Sequence, residues 1–158
     1  MIRDARPADR DAIVALQVAS WRQAYAAFLS PDYLAHGLPD DLAAMWAPRL
    51  AGDEIALVHE DGDAITGMIC CLTDRDPAYV DNLHVDASRR GGGIGAALLR
   101  ACFDRLRDRG RTACALTVWA GNHRGLRFYE RMGGVAGPER DAMLVGHPIR
   151  DIPIRFAL

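Results

Sequence analysis

The stretch Tyr79-Val80-Asp81-Asn82-Leu83-His84-Val85-Asp86-Ala87-Ser88-Arg89-Arg90-Gly91-Gly92-Gly93-Ile94-Gly95, running on through an apolar-periodic segment to Arg109, decides how the chain is read. It spells a strand, a basic turn, a glycine loop and a helix. Such a unit aims several backbone N–H groups and a helix N-terminus at one point, and that point favours an anion such as a phosphate. Glycine suits the loop because a side chain would block close approach of backbone to ligand. It would also disfavour the positive φ values that a cradle needs. The helix is read from Ile94, Leu98, Cys102 and Leu106 at i+4 spacing, with Leu99 and Phe103 beside them, and Gly110 ends it.

Downstream, Thr112–Trp119 is a continuous apolar run, as expected of a parallel strand buried on both faces. Strand, helix and strand then form a right-handed crossover. Asn122 is a good N-cap for a short helix marked by Leu126, Tyr129 and Met132 and closed by Gly133-Gly134. Residues 135–142 read as loop with strand character near Val135. Met143–Val145 and Ile152–Phe156 read as terminal strands, and Pro148 and Pro153 predict edges or bulges.

Upstream, Met1–Ala5 suits an edge strand, and Pro7 opens a helix carrying Ile13, Leu16, Gln17 and Ser20 along one face. Trp21 and Tyr25 follow at i, i+4 on that helix or its successor. Ser30-Pro31-Asp32 and Pro39-Asp40-Asp41 start further helical segments toward Leu50. Ile55–Glu60 and Ala64–Leu72 are strands around the hairpin turn Asp61-Gly62-Asp63, and Thr73–Ala78 is a loop. The expected class is α/β, with a central mixed sheet flanked by helices in one domain spanning residues 1–158.

Composition narrows the function. Half the 158 residues are apolar and 25% are charged, the profile of a soluble globular domain with a real core. A net charge of −2 offers no field for nucleic acid or an anionic membrane. The arginine clusters at Arg105–Arg111 and Arg124–Arg131 read as solvated helix faces. Cys70, Cys71, Cys102 and Cys114 lie in apolar runs without Cys-x-x-Cys spacing, so they read as small buried hydrophobes in a reducing compartment. No apolar run approaches membrane-spanning length and no signal peptide is visible, which makes the cytoplasm the default location. His36, His59, His84, His123 and His147 show no ligand-like pairing, so no metal site is expected.

Three phosphate binders compete for the glycine loop. A nucleotide P-loop needs Gly-Lys-Ser/Thr, but all 19 basic residues are arginine. The dinucleotide fingerprint is matched by Gly91, Gly93 and Ala96, yet it calls for an acidic residue at the end of the next strand, which here ends near Trp119 without one. The third is Arg90-x-x-Gly93-x-Gly95, which resembles the acetyl-CoA signature of the GNAT acetyltransferases. The resemblance extends to Leu83-His84-Val85 and to Asn122-x-x-x-x-x-x-Tyr129-Glu130-Arg131-Met132-Gly133, and so covers nearly the whole chain. Gly134 stands where that family usually has an aromatic residue.

The resemblance implies acetyl-CoA as acetyl donor and the direct attack of an amine on its thioester carbonyl. Arg90, Gly91, Gly92, Gly93, Ile94, Gly95 and Ala96 would hold the pyrophosphate, and Leu83, His84 and Val85 would offer backbone groups to the pantetheine arm and the carbonyl. Asn122 would touch the cofactor as well as cap its helix. Tyr129 would give a proton to the leaving sulfur. For the group that takes the amine proton, Asp81, His84, His147 and a water relay all stay open. Asp81 enters because period-2 alternation puts it on the face of Leu83, with His84 opposite. Trp21 and Tyr25 would line the acceptor pocket. The acceptor would be a small-molecule or peptide amine, and a homodimer through the terminal strands is a further expectation. A catalytically quiet acyl-CoA sensor is the alternative from another class, and an NAD-dependent oxidoreductase is a third.

Overall fold

The computed structural model describes residues 1–158. In chain order the elements are β1 (Ile2–Asp4), α1 (Arg10–Tyr25), α2 (Leu38–Arg49), β2 (Ile55–Asp61), β3 (Ala64–Leu72), β4 (Ala78–Val85), α3 (Ile94–Asp108), β5 (Ala113–Trp119), α4 (His123–Arg131), β6 (Val135–Ala136), β7 (Arg140–Leu144) and β8 (His147–Ala157). All eight strands join one sheet in the order β1-β2-β3-β4-β5-β8-β6, with β7 also paired to β8. The β4–β5 pair is parallel and the others are antiparallel. This is the mixed sheet flanked by helices that the sequence predicts.

Each face of the sheet has its own core. The apolar row of α3 (Leu98, Leu99, Cys102, Phe103 and Leu106) packs on Leu57, Ile69, Val80, Leu116 and Phe156. On the opposite face, Ile13 and Leu16 of α1 and Leu42 and Trp46 of α2 cover Val58, Met68, Cys70 and Leu72. Each such side chain fully buried contributes about 1.5–3 kcal/mol. The four cysteines are free thiols and fully buried within these cores.

Two irregularities position the site. First, β4 and β5 pair only at Ala78 with Cys114 and Tyr79 with Ala115. Beyond that point they part and leave a gap in the middle of the sheet. Second, β3 pairs Cys70 with Asn82 but Cys71 with Val80, so Asp81 has no partner and forms a bulge. The bulge interrupts the period-2 alternation on which the placement of Asp81 with Leu83 rests. Asp81 and Asn82 both turn toward α1 and α2, and so does His84, whose Nδ1 lies 2.9 Å from Ser20 Oγ. Leu83 packs with the α3 core instead.

The C-terminal third is more strand-rich than predicted. β8 runs unbroken through Pro148 and Pro153, and it is an interior strand beside β5. Pro153 is tolerated there because it falls between the segments paired to β7 (147–151) and to β6 (154–155), where no ladder donor is required on that edge. The residues of β5 alternate between buried and half-buried, because the α3 core covers one face while α1 and α2 pack over β3 and β4 and leave the other face of β5 less covered. No helix is long and apolar enough to cross a membrane.

Candidate active site

The glycine loop adopts the conformation its sequence demands. Gly91 and Gly93 have φ of 86° and 80°, the left-handed region in which a Cβ is costly. A Cβ added to either would project into open space, with no atom within 4 Å. Gly93 is the N-cap of α3 and supplies no capping side chain. The backbone N–H groups of Gly91, Gly93, Ile94, Gly95 and Ala96 donate to no acceptor in the chain, whereas the first amide beyond them, Ala97, bonds Gly93 O. Five free amides at a helix N-terminus form a concave donor set for a diphosphate-like anion. These residues therefore fit a pyrophosphate such as that of coenzyme A. Arg90 is anchored beside them by Nε donating to Val85 O (3.4 Å).

The gap between β4 and β5 opens beside this loop. Asp86 N–H bonds Thr66 O on the β3 side, so alternation turns the backbone groups of Leu83 and Val85 toward the gap. At its base, Tyr79 Oη and Thr117 Oγ1 lie 2.8 Å apart and strut the two strands. Tyr129, on α4, packs against the α3 core with its ring 6.5 Å from that of Phe156. Its hydroxyl makes no hydrogen bond within the chain. Burial lifts the Tyr129 phenol above its ordinary value, and the nearby hydroxyls of Tyr25 and Tyr79 add to the rise. It is therefore a protonated group at neutral pH. Asn122 caps α4, its Oδ1 accepting from Gly125 N–H at 2.9 Å.

A polar ring, buried at Gln17, Trp46 and Asn82 and reaching the surface at Asp81, lies behind the bulge and has no signal in the sequence. Trp46 Nε1 donates to Gln17 Oε1 (2.8 Å), and Gln17 Nε2 donates to Asn82 Oδ1 (2.7 Å). Asn82 Nδ2 then donates to Asp81 Oδ2 (2.9 Å), which also accepts from Arg49 Nη1 (2.7 Å). The Arg49 guanidinium closes the ring over Trp46, 5.9 Å from the ring centre. The circuit ties α1 and α2 to the bulge and leaves Asp81 Oδ1 without a partner. Among the other base candidates, burial lowers His84 to about 4, with the Arg90 charge adding to the effect. It is neutral at pH 7. His147 sits at the start of β8, four residues before Asp151, the partner of Trp119, which is roughly 13 Å of strand away from the end of β5.

Trp21 and Tyr25 lie together on the last turns of α1, with ring centres 5.1 Å apart. They belong to a larger group: Tyr25 also meets Phe28 and Trp119, and the last two rings stand 5.0 Å apart. Phe28 and Trp119 were not singled out from sequence, since the turn after α1 and the end of β5 carry no periodic signal.

Comparison with known proteins places this architecture. The sequence profile of the Acetyltransferase (GNAT) family matches residues 17–134. The uncharacterized N-acetyltransferase MJ1207 of Methanocaldococcus jannaschii is 36% identical over 95 residues, which are 56% of this chain and 42% of that protein. The chain spans about half the length of the curated relatives it matches. Among solved structures, the PaiA N-acetyltransferase of Thermoplasma acidophilum in complex with coenzyme A superposes with a TM-score of 0.82 at 17% identity, covering 100% of this chain and 98% of that one. The YncA protein of Salmonella typhimurium with its cofactor acetyl-CoA gives 0.76 at 19% identity, over 99% and 92%. At such identities these two likenesses speak to the fold. With the profile matched across both the glycine loop and Tyr129, the chain belongs to the acetyltransferase (GNAT) family.

Proposed function

We propose that the 158 residues act as one acetyl-CoA-dependent N-acetyltransferase domain. The observation that carries this reading is the five free amides of the glycine loop beside the gap, together with the unpartnered Tyr129 hydroxyl near Tyr79 at its base. When bound, acetyl-CoA supplies an acetyl thioester that an amine can attack directly. The chain's own residues meet the needs of that attack. The loop amides and the α3 N-terminus bind and orient phosphate. The inward backbone of Leu83 and Val85 offers N–H groups to a developing oxyanion. Tyr129 holds a proton for the leaving sulfur, and its raised pKa keeps that proton in place until it is needed. Asp81 Oδ1 takes the amine proton directly or through one water, while Arg49 and Asn82 hold the carboxylate in place.

The acceptor is a small-molecule or peptide amine. Four free buried thiols suit a reducing compartment, and the cytoplasm is the location we assign on that ground. The outer edge of β7 is unpaired and is the place where a homodimer would join.

The test is calorimetry with acetyl-CoA together with Tyr129→Phe. The variant keeps acetyl-CoA affinity within about threefold and loses turnover by about 10²–10⁴-fold, the usual share of a proton donor. Equal turnover in the variant and the parent would favour the acyl-CoA sensor. Absence of acetyl-CoA binding would sink both readings.

A further inference from the structure

The aromatic group at the mouth of the gap borders the α1–α2 core without being sealed inside it. The core rings of Trp46 and Phe156 are 1% exposed, but Trp21, Tyr25, Phe28 and Trp119 are all half-buried. Trp46 has its indole N–H bonded to Gln17, whereas the indole N–H groups of Trp21 and Trp119 and the Tyr25 hydroxyl make no hydrogen bond within the chain. The rings stand nearly perpendicular: 78° for Trp21 with Tyr25, 67° for Tyr25 with Trp119 and 81° for Phe28 with Trp119. A ligand ring would join such a group in the same edge-to-face geometry. No arginine of the chain stacks on any of them. The two arginines that stack on aromatic rings lie over Trp46 and Tyr79.

The position is as informative as the composition. Trp119 ends the strand that forms one side of the gap, Tyr25 ends the helix above it, and Tyr25 lies near enough to Tyr129 to help raise the Tyr129 phenol. An apolar body seated here would therefore carry its amine toward the proposed reaction centre. A polyamine or amino sugar needs several carboxylates for its remaining ammonium groups, but Asp151, opposite Trp119, is paired with Arg140, and Asp81 is paired with Arg49. The aromatic wall also assists chemistry. Desolvation lowers the pKa of an incoming ammonium and raises the fraction of free amine able to attack.

Resting on the acetyltransferase reading, we propose that the acceptor is an arylalkylamine: a primary amine on an uncharged aromatic body that packs against Trp21, Tyr25, Phe28 and Trp119.

Two measurements test it. In the first, phenylethylamine, butylamine and spermidine are titrated against the intact chain by tryptophan fluorescence without donor. In the second, the release of coenzyme A thiol from acetyl-CoA is followed with each amine. Phenylethylamine is expected to bind, and to be acetylated in kcat/KM, at least about tenfold better than butylamine, the scale on which an apolar pocket discriminates. Trp119→Ala and Phe28→Leu, each checked for fold by acetyl-CoA calorimetry, should collapse that ratio toward one. A preference for spermidine, or a ratio unmoved in both variants while acetyl-CoA still binds, would overturn the arylalkylamine assignment and leave the acetyltransferase reading intact. Failure of acetyl-CoA to bind would overturn both.

Discussion

Replacing Gln17 by leucine probes the polar ring behind the bulge. The two side chains have similar volume, so packing is nearly conserved and hydrogen bonding is what changes. Gln17 is 2% exposed and serves both partners, accepting from Trp46 at 2.8 Å and donating to Asn82 at 2.7 Å. Leucine leaves a buried indole N–H and a buried amide oxygen without partners. Each such orphan costs about 1–3 kcal/mol, and the apolar side chain returns part of this, so the net loss is ~2–4 kcal/mol. In a domain of this size that lowers Tm by roughly 5–15 °C, as read by calorimetry, with urea unfolding as a second probe. A double-mutant cycle sharpens the test. Trp46→Phe removes the orphaned donor, so the two losses combine less than additively in Gln17→Leu/Trp46→Phe. A Tm within about 2 °C of the parent, or strict additivity in the cycle, would refute the claim that this ring holds the bulge.

Stability should also depend on pH through His84. Its native pKa lies near 4, below the ordinary 6.5, so the unfolded chain binds the proton more readily. The contribution is complete above pH 6.5, declines as pH falls and is gone near pH 4, amounting to ~2 kcal/mol lost by pH 5. Urea midpoints measured between pH 7 and 5 should fall in the parent, and His84→Asn should flatten most of that slope, with His59, also lowered by burial, supplying the remainder. At the loop, Gly93→Val forces a β-branched residue into φ of 80° and crowds the free amides. It should weaken acetyl-CoA binding by about tenfold or more in calorimetry. Gly110→Ala, at φ of 71° on the far end of α3, should lower Tm and leave that affinity unchanged, which separates strain from ligand contact.

What could be read in advance was what depends on near neighbours in the chain. Gly91 and Gly93 announce themselves because their need is a backbone angle, fixed by residues next to them. Asn122 with Tyr129, and the i+4 row from Ile94 to Leu106, are likewise set within one helix. The partners of Gln17 are 29 and 65 positions away, and its place in an apolar row of α1 gives no hint of them. Alternation alone puts Asp81 on the face of Leu83, and the structure turns it to the other face, because a bulge belongs to a pair of strands and cannot be found in one. The length of β8 escapes a single sequence for a similar reason. Pro153 is forbidden inside a ladder only when a neighbour needs its N–H, and the break between β6 and β7 removes that need.

The parting of β4 from β5 bears on how the molecule behaves in a crowded solution. Unpaired strand edges are the surfaces through which β-proteins stick to one another, and they are normally kept short, charged or covered. Here two of them face each other from the middle of a sheet, joined below by two residue pairs and by the Tyr79–Thr117 contact. A strand from another molecule finds no outer rim to lie along there. The same hydrogen-bonding hunger that would drive aggregation on a flank is here enclosed within the sheet. Adhesiveness has been folded inward, and what is left of it can be spent on ligand rather than on neighbours.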